Sequence, residues 1–272
     1  MKRLFSLVTI AIAMLLSAAC STPNTTASNS NQATPAAATD QAPRQLYFVI
    51  ATRVKPEMMT QFREFYQKET LPAQQKGGVR QQSVWVTANL GEAFEYVSIR
   101  PIEGLQQFDE PNALTKALGE EGFRKWAAKR ATMIVGSRAY VMQSRPELSL
   151  APDPNYAPKL AIVVRQSLTP GRRLDYESYV KTDILPIVKK INTKGFMVNK
   201  VTVGGDTEEY LGITLVDSFA DYERWVAALQ KEGYNNVLPK QAGFMAHREQ
   251  LVYRYVPELS ISPSVPKAGD NK

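Results

Sequence analysis

The chain has 272 residues, with 33 Lys and Arg against 26 Asp and Glu, a formal net charge of +7, one Cys and one His. A single cysteine, Cys20, excludes a disulfide framework and leaves no thiol nucleophile in the folded part. A single histidine, His247, excludes a His-rich metal site, and with no Gly-x-Ser-x-Gly elbow it gives a Ser-His-Asp triad little to build on. The positive excess is modest, without a basic run, so it argues against a nucleic-acid partner and suits attraction to an anionic surface.

Met1-Lys2-Arg3 is a positive start, followed by an apolar run from Leu4 to Leu16 and then Ser17-Ala18-Ala19-Cys20. These are the three parts of a secretory signal, and the run is short for a membrane span. The last four residues resemble the lipobox of bacterial lipoproteins, departing from it at Ser17, where the family has Leu. The resemblance implies removal of residues 1–19, a lipid on Cys20 and, with Ser21 following, a periplasm-facing protein anchored in the outer membrane. The alternative is an ordinary signal peptide cut near Ala19. Residues 20–45 are rich in Ser, Thr, Asn, Gln, Ala and Pro, with Asp40 the single charge before Arg44. Such a segment buries too little apolar area to offset its ordering entropy and reads as a disordered tether.

The folded part then repeats itself. Leu46 to Val54 alternates as a strand, runs into Lys55-Pro56-Glu57, and is followed by a helix with Met58, Phe62, Phe65 and Tyr66 at helical spacing and a Leu71-Pro72 stop. At an offset of 114 positions the same order recurs: strand Leu160 to Leu168, Thr169-Pro170-Gly171, helix with Tyr176, Tyr179 and Val180, and Leu185-Pro186. Repeats of this kind decide architecture before any other feature. Strands Arg80 to Thr87 and Phe94 to Arg100 come next, around Asn89-Leu90-Gly91; their counterparts are Val198 to Val203 and Glu209 to Leu215, around Gly204-Gly205-Asp206. A second helical region follows, for which Ser218 is the expected N-cap in the second copy. A last strand, Arg138 to Arg145 or Glu249 to Val256, precedes a Pro-Glu-Leu-Ser exit, now at an offset of 111. The expected organisation is residues 46–150 as one domain, 151–159 as a linker, 160–261 as a second domain, and 262–272 as a disordered tail.

Strand, helix, two strands, helix, strand is the ferredoxin-like βαββαβ unit. Two such units, with their Pro-opened and Leu-Pro-closed first helices and Asp217-Ser218-Phe219-Ala220-Asp221-Tyr222 opening a later one, resemble the dimeric α/β-barrel superfamily. Its NIPSNAP-like and antibiotic-biosynthesis-monooxygenase-like members are the nearest in pattern. The resemblance implies an α+β chain with its two sheets packed face to face as an internal pseudo-dimeric α/β barrel, the folded part being monomeric. It implies a pocket, but no one chemistry.

The strand alternation points to the same pocket. If the faces carrying Val97, Ile99, Leu211 and Ile213 pack on helices, then Tyr47, Arg53, Trp85, Tyr96, Arg100, Arg165 and Tyr210 face the opposing sheet and line a ligand site. Arg100 and Arg165 are there either paired with carboxylates such as Glu95 or Glu209, or waiting for an anion. The expected role is binding of a small molecule without a metal or other cofactor. Two enzyme alternatives stand beside it: cofactor-independent oxygenation or isomerisation in the same pocket, and haem chemistry through His247, whose place at a strand entry does not match the ligand position of chlorite-dismutase-type proteins.

Overall fold

Apolar alternation sets the two leading strands where the sequence places them, β1 over Leu46–Val54 and β5 over Leu160–Leu168. The computed structural model describes residues 43–90 and 93–262. The signal-like segment, Cys20, most of the tether and nearly all of the tail lie outside these residues. After β1 come α1 (Met59–Phe65), α2 (Leu71–Lys76), β2 (Ser83–Thr87), β3 (Glu95–Ile102), α3 (Ala113–Met133) and β4 (Ile134–Ser144). After β5 come α4 (Arg173–Tyr179), α5 (Leu185–Lys190), β6 (Phe196–Val203), β7 (Glu209–Val216), α6 (Phe219–Lys231), α7 (Tyr234–Val237) and β8 (Met245–Tyr255). Ser218 caps α6 as expected, accepting a hydrogen bond from the Asp221 amide at 3.1 Å.

Each half orders its strands as a ferredoxin-like sheet, and the two sheets join edge to edge. The sequence around the barrel is β1-β3-β2-β8-β5-β7-β6-β4, closed by β4 against β1. β2 pairs with β8 and β4 with β6, all antiparallel, so the edge strands of one half are consumed by those of the other. The fold is therefore α+β, two βαββαβ units closing an internal pseudo-dimeric α/β barrel. Its helices cover the outside.

Three buried clusters follow from that layering. One lies between α1, α3 and the outer face of the first sheet, around Val54, Phe62, Phe65 and Tyr96; a second lies between the later helices and the other sheet, around Tyr176, Tyr179, Val188 and Tyr210. The third, with Val49, Tyr140, Val201 and Leu211, fills part of the barrel. The helix aromatics repeat across the halves, with Phe62 5.1 Å from Tyr96 and Tyr176 4.6 Å from Tyr210, centroid to centroid. Such pairs add about 0.5–1.5 kcal/mol beyond their buried area.

Leu71-Pro72 and Leu185-Pro186, expected to stop their helices, do not. In each copy a π turn, Tyr66–Thr70 or Val180–Ile184, carries the helix past the proline to Lys76 or Lys190. Proline lacks an amide hydrogen and its ring crowds the carbonyl four residues back; the wider π turn removes the need for that bond and makes room for the ring.

The exits cross over. The turn Pro146–Leu148, which ends the first half, sends Leu148 into the core beneath α4 and α5 of the second, while Pro257–Leu259 sends Leu259 into the core of the first. Ser149 Oγ accepts from the Val198 amide and Ser260 Oγ from the Val84 amide, each at 2.9 Å. The bridges Leu150 to Phe196 and Gln82 to Ile261 complete the two clasps.

Candidate functional site

Strand periodicity decides what the barrel encloses. Alternate residues of β1 (Tyr47, Val49, Ala51) and β5 (Ala161, Val163, Arg165) point inward, and the register brings Trp85, Val97, Ile99, Tyr140, Met142, Leu211, Ile213 and Tyr253 to the same interior. An eight-stranded barrel is just wide enough for side chains to fill or for one small ligand. Here small residues, Ala51, Ser83 and Ala161 among them, leave a cavity of about 470 Å³. Gln45, just before β1, and Pro146, Ala151 and Pro152, in the connection from β4 to β5, also reach its wall.

Toward one end the apolar wall gives way to charge. Arg165 donates from Nη1 to Glu249 at 2.7 Å and sets Nε 3.2 Å from Glu209 Oε1, while Arg138 Nη2 reaches Glu209 Oε2 at 3.2 Å. Glu209 is only 4% exposed, so these arginines offset a carboxylate that could not stand alone there. Burial works against the Arg165 cation, but Glu209, Tyr140 and Glu249 outweigh it and hold its pKa above the ordinary range. Tyr253 donates to Glu95 at 2.7 Å, and burial raises the pKa of both Tyr253 and Tyr140, so both phenols are protonated donors at neutral pH.

Of the residues the sequence singles out, Tyr47, Trp85 and Arg165 lie on the cavity wall. Arg165 is paired with carboxylates inside the barrel. Arg53 shares the inward-facing alternation of β1 but is exposed and beyond the cavity. Tyr96, Arg100 and Tyr210 correct the expected assignment: they lie on the opposite, helix-facing side of β3 and β7, and Val97, Ile99, Leu211 and Ile213 line the barrel instead. The reason is packing. Tyr96 and Tyr210 fill space against Phe62 and Tyr176, and every residue of β7 is buried, so apolar residues occupy both of its faces and alternation there carries no direction. Tyr140, Met142, Asn199 and Tyr253 line the cavity without having been singled out. For Tyr140 and Met142 the available signal was the period of two along the last strand of the first half.

His247 sits in β8, two residues before Glu249, exposed and lining neither the barrel cavity nor the sheet–helix clefts. Among the described residues no group of three or more His, Cys, Asp or Glu is placed to hold a metal ion.

Neither a protein-family model nor a curated protein matches the chain. Solved structures do. The chain is similar to an anthrone oxidase-like protein (TM-score 0.54, 11% identity, 79% of this chain and 94% of that one). It is similar to a candidate monooxygenase from Fusobacterium nucleatum (TM-score 0.53, 11% identity, 78% and 92%). A chlorite dismutase variant from Candidatus Nitrospira defluvii gives TM-score 0.51 at 11% identity over 79% and 92%. At such identities the likeness is one of fold.

Proposed function

We propose that this chain is a cell-envelope lipoprotein that binds one small, largely apolar molecule inside its barrel. The observation that carries this reading is the cavity of about 470 Å³, lined by strands of both halves and walled mainly by Val, Ile, Leu, Met, Ala and aromatic side chains. A volume of that order is within the range of small-molecule sites, which are mostly apolar with a few placed polar groups. Tyr140 and Asn199 are those groups here, Tyr253 being already committed to Glu95. Since Arg165 is already paired with Glu209 and Glu249, the barrel favours a neutral ligand over an anion.

The test is titration with N-phenyl-1-naphthylamine, a neutral apolar fluorophore. One molecule per chain is expected to bind, and Val163→Phe, which fills the cavity from its wall, is expected to weaken binding about tenfold or more. Absence of binding, or equal binding by the variant, would overturn the reading.

Catalysis of the monooxygenase kind is the second reading, favoured by the barrel cavity and by the fold shared with proteins named for oxidation. It lacks a free base, because Glu209 and Glu249 are committed to arginines. Oxygen uptake with an electron-rich aromatic substrate, lost in Val163→Phe, would establish it. The haem alternative is not carried forward, as His247 reaches neither the barrel nor the sheet–helix clefts.

Among the described residues no helix is long and apolar enough to cross a membrane, and the proposed attachment is through lipid on Cys20. Cell fractionation of Cys20→Ser checks it: release from the outer membrane is expected, and retention would sink the anchor.

A further inference from the structure

The sheet–helix cleft of the first half carries a feature its duplicate lacks. Arg100, on β3, stands opposite Phe48 of β1 and lays its guanidinium 4.9 Å from that ring. Arg130, on α3, bonds Thr52 and Ser137 through Nη2 at 2.8 and 3.0 Å and lies 5.8 Å from the Trp126 ring. Both arginines line one cleft of about 290 Å³, and no Asp or Glu is among its lining residues. Among the described residues Arg100 has no ion pair or hydrogen-bond partner, whereas Arg138, Arg145 and Arg165 are all paired with carboxylates. Burial accordingly pulls the pKa of both Arg100 and Arg130 down, with only Tyr66 opposing.

Half-buried cations are ordinarily compensated, and guanidinium matches a carboxylate through two parallel hydrogen bonds. The rest of the wall combines apolar and aromatic side chains, Phe62, Phe65, Phe123 and Trp126 among them, with neutral polar ones such as Gln74 and Asn112. The duplicate cleft, of about 260 Å³, has Thr214 where the first has Arg100 and Gln241 where it has Arg130; its one arginine, Arg248, is exposed. The uncompensated pair is thus not a requirement of the architecture. Arg100 and Phe48 also wall an open groove on the protein surface, which gives a ligand a way in.

We infer that the cleft between the first sheet and α3 is a second binding site, taking a carboxylate carried on an apolar body of aromatic size, with Arg100 and Arg130 holding the anion. It is separate from the barrel cavity and does not depend on it.

Isothermal titration of the full chain with 2-naphthoate tests the assignment. Binding of one equivalent is expected, with 2-naphthamide and inorganic phosphate each about tenfold weaker or more. Arg100→Thr and Arg130→Gln install the duplicate's own residues, so the fold is expected to survive, as circular dichroism melts would verify; each is expected to weaken naphthoate binding about tenfold or more. Should one of the two variants unfold, the other decides. Val163→Phe, in the barrel, is expected to leave naphthoate binding unchanged. Failure of naphthoate to bind, equal binding of the amide, tighter binding of bare phosphate, or loss in Val163→Phe without loss in the arginine variants would each overturn the inference while leaving the barrel reading to its own test.

Discussion

Arg145 shows how much one side chain can hold. It ends the first half, is only 8% exposed, and bonds Glu147 at 2.7 Å and Glu177 of α4 through both terminal nitrogens, the Nη2 bond being 2.8 Å. Tyr210 donates its hydroxyl to the same Glu177. Burial opposes ionisation of Glu177, but the bonds from Arg145 and Tyr210 outweigh it and keep its pKa below the usual carboxylate value; Glu147 is lowered likewise, with its own backbone amide and Arg145 overcoming burial. Both folded pKa values lie below those of the unfolded chain. The stability they supply is therefore complete above the ordinary carboxylate range and is lost as pH falls through the depressed folded values. Arg145→Met is expected to cost about 1.5–3 kcal/mol at neutral pH by leaving Glu177 with the Tyr210 hydroxyl alone. Urea unfolding should show the gap to wild type unchanged from about pH 7 to about pH 5 and shrinking below about pH 4.5. Such pairings were not legible in advance. Sequence alternation identifies an arginine on a strand, but not whether a carboxylate from another element meets it, which is why Arg100 and Arg165 began alike and ended with opposite surroundings.

Elements were more legible than their faces. Strand bounds for β1 and β5 followed from apolar alternation, and the aromatic stripe of the first helix in each copy lies in the core, with Phe62 and Phe65 matched by Tyr176 and Tyr179. The last strands run longer than expected, beginning at Ile134 and Met245, because their early residues pair with the ends of β1 and β5. Faces failed on β3 and β7: on β7 every residue is buried, and on β3 the more polar side, with Ser98 and Arg100, turned to the helices while Val97 and Ile99 turned into the barrel. The crossing exits give an element-scale prediction. Leu148→Ala and Leu259→Ala, both at positions no more than 1% exposed, should each cost about 2–5 kcal/mol in chemical denaturation. Ending the chain after Val256 should loosen the first half, read as loss of aromatic circular dichroism, although every residue removed lies beyond β8.

At the scale of the molecule the duplication was the strongest signal, since it survives in loop offsets as well as in residue classes, and with it came the barrel. What the repeat could not convey is that the two copies have diverged in charge: the barrel interior carries an arginine and carboxylate cluster, one outer cleft carries Arg100 and Arg130, and the other is close to neutral. Edge pairing of β2 with β8 and of β4 with β6 makes each half the other's missing neighbour. Expressed separately, residues 43–159 and residues 160–262 are expected to stay unfolded or to associate through their open edges, and to regain native circular dichroism when mixed. Two independently melting halves would contradict that.

The clasp formed by Pro257–Leu259 also bears on the order of events during synthesis. A polypeptide emerging amino end first, from a ribosome or a translocation pore, presents β1 through β4 long before Leu259 exists to seal the hollow beneath Phe62 and Val84. Until then that hollow is an apolar surface open to water and to passing chains, so the nascent protein has a long waiting period and a short final closure. Holdase chaperones would find their target in that interval, and a slow codon run between β4 and Pro257 would lengthen it.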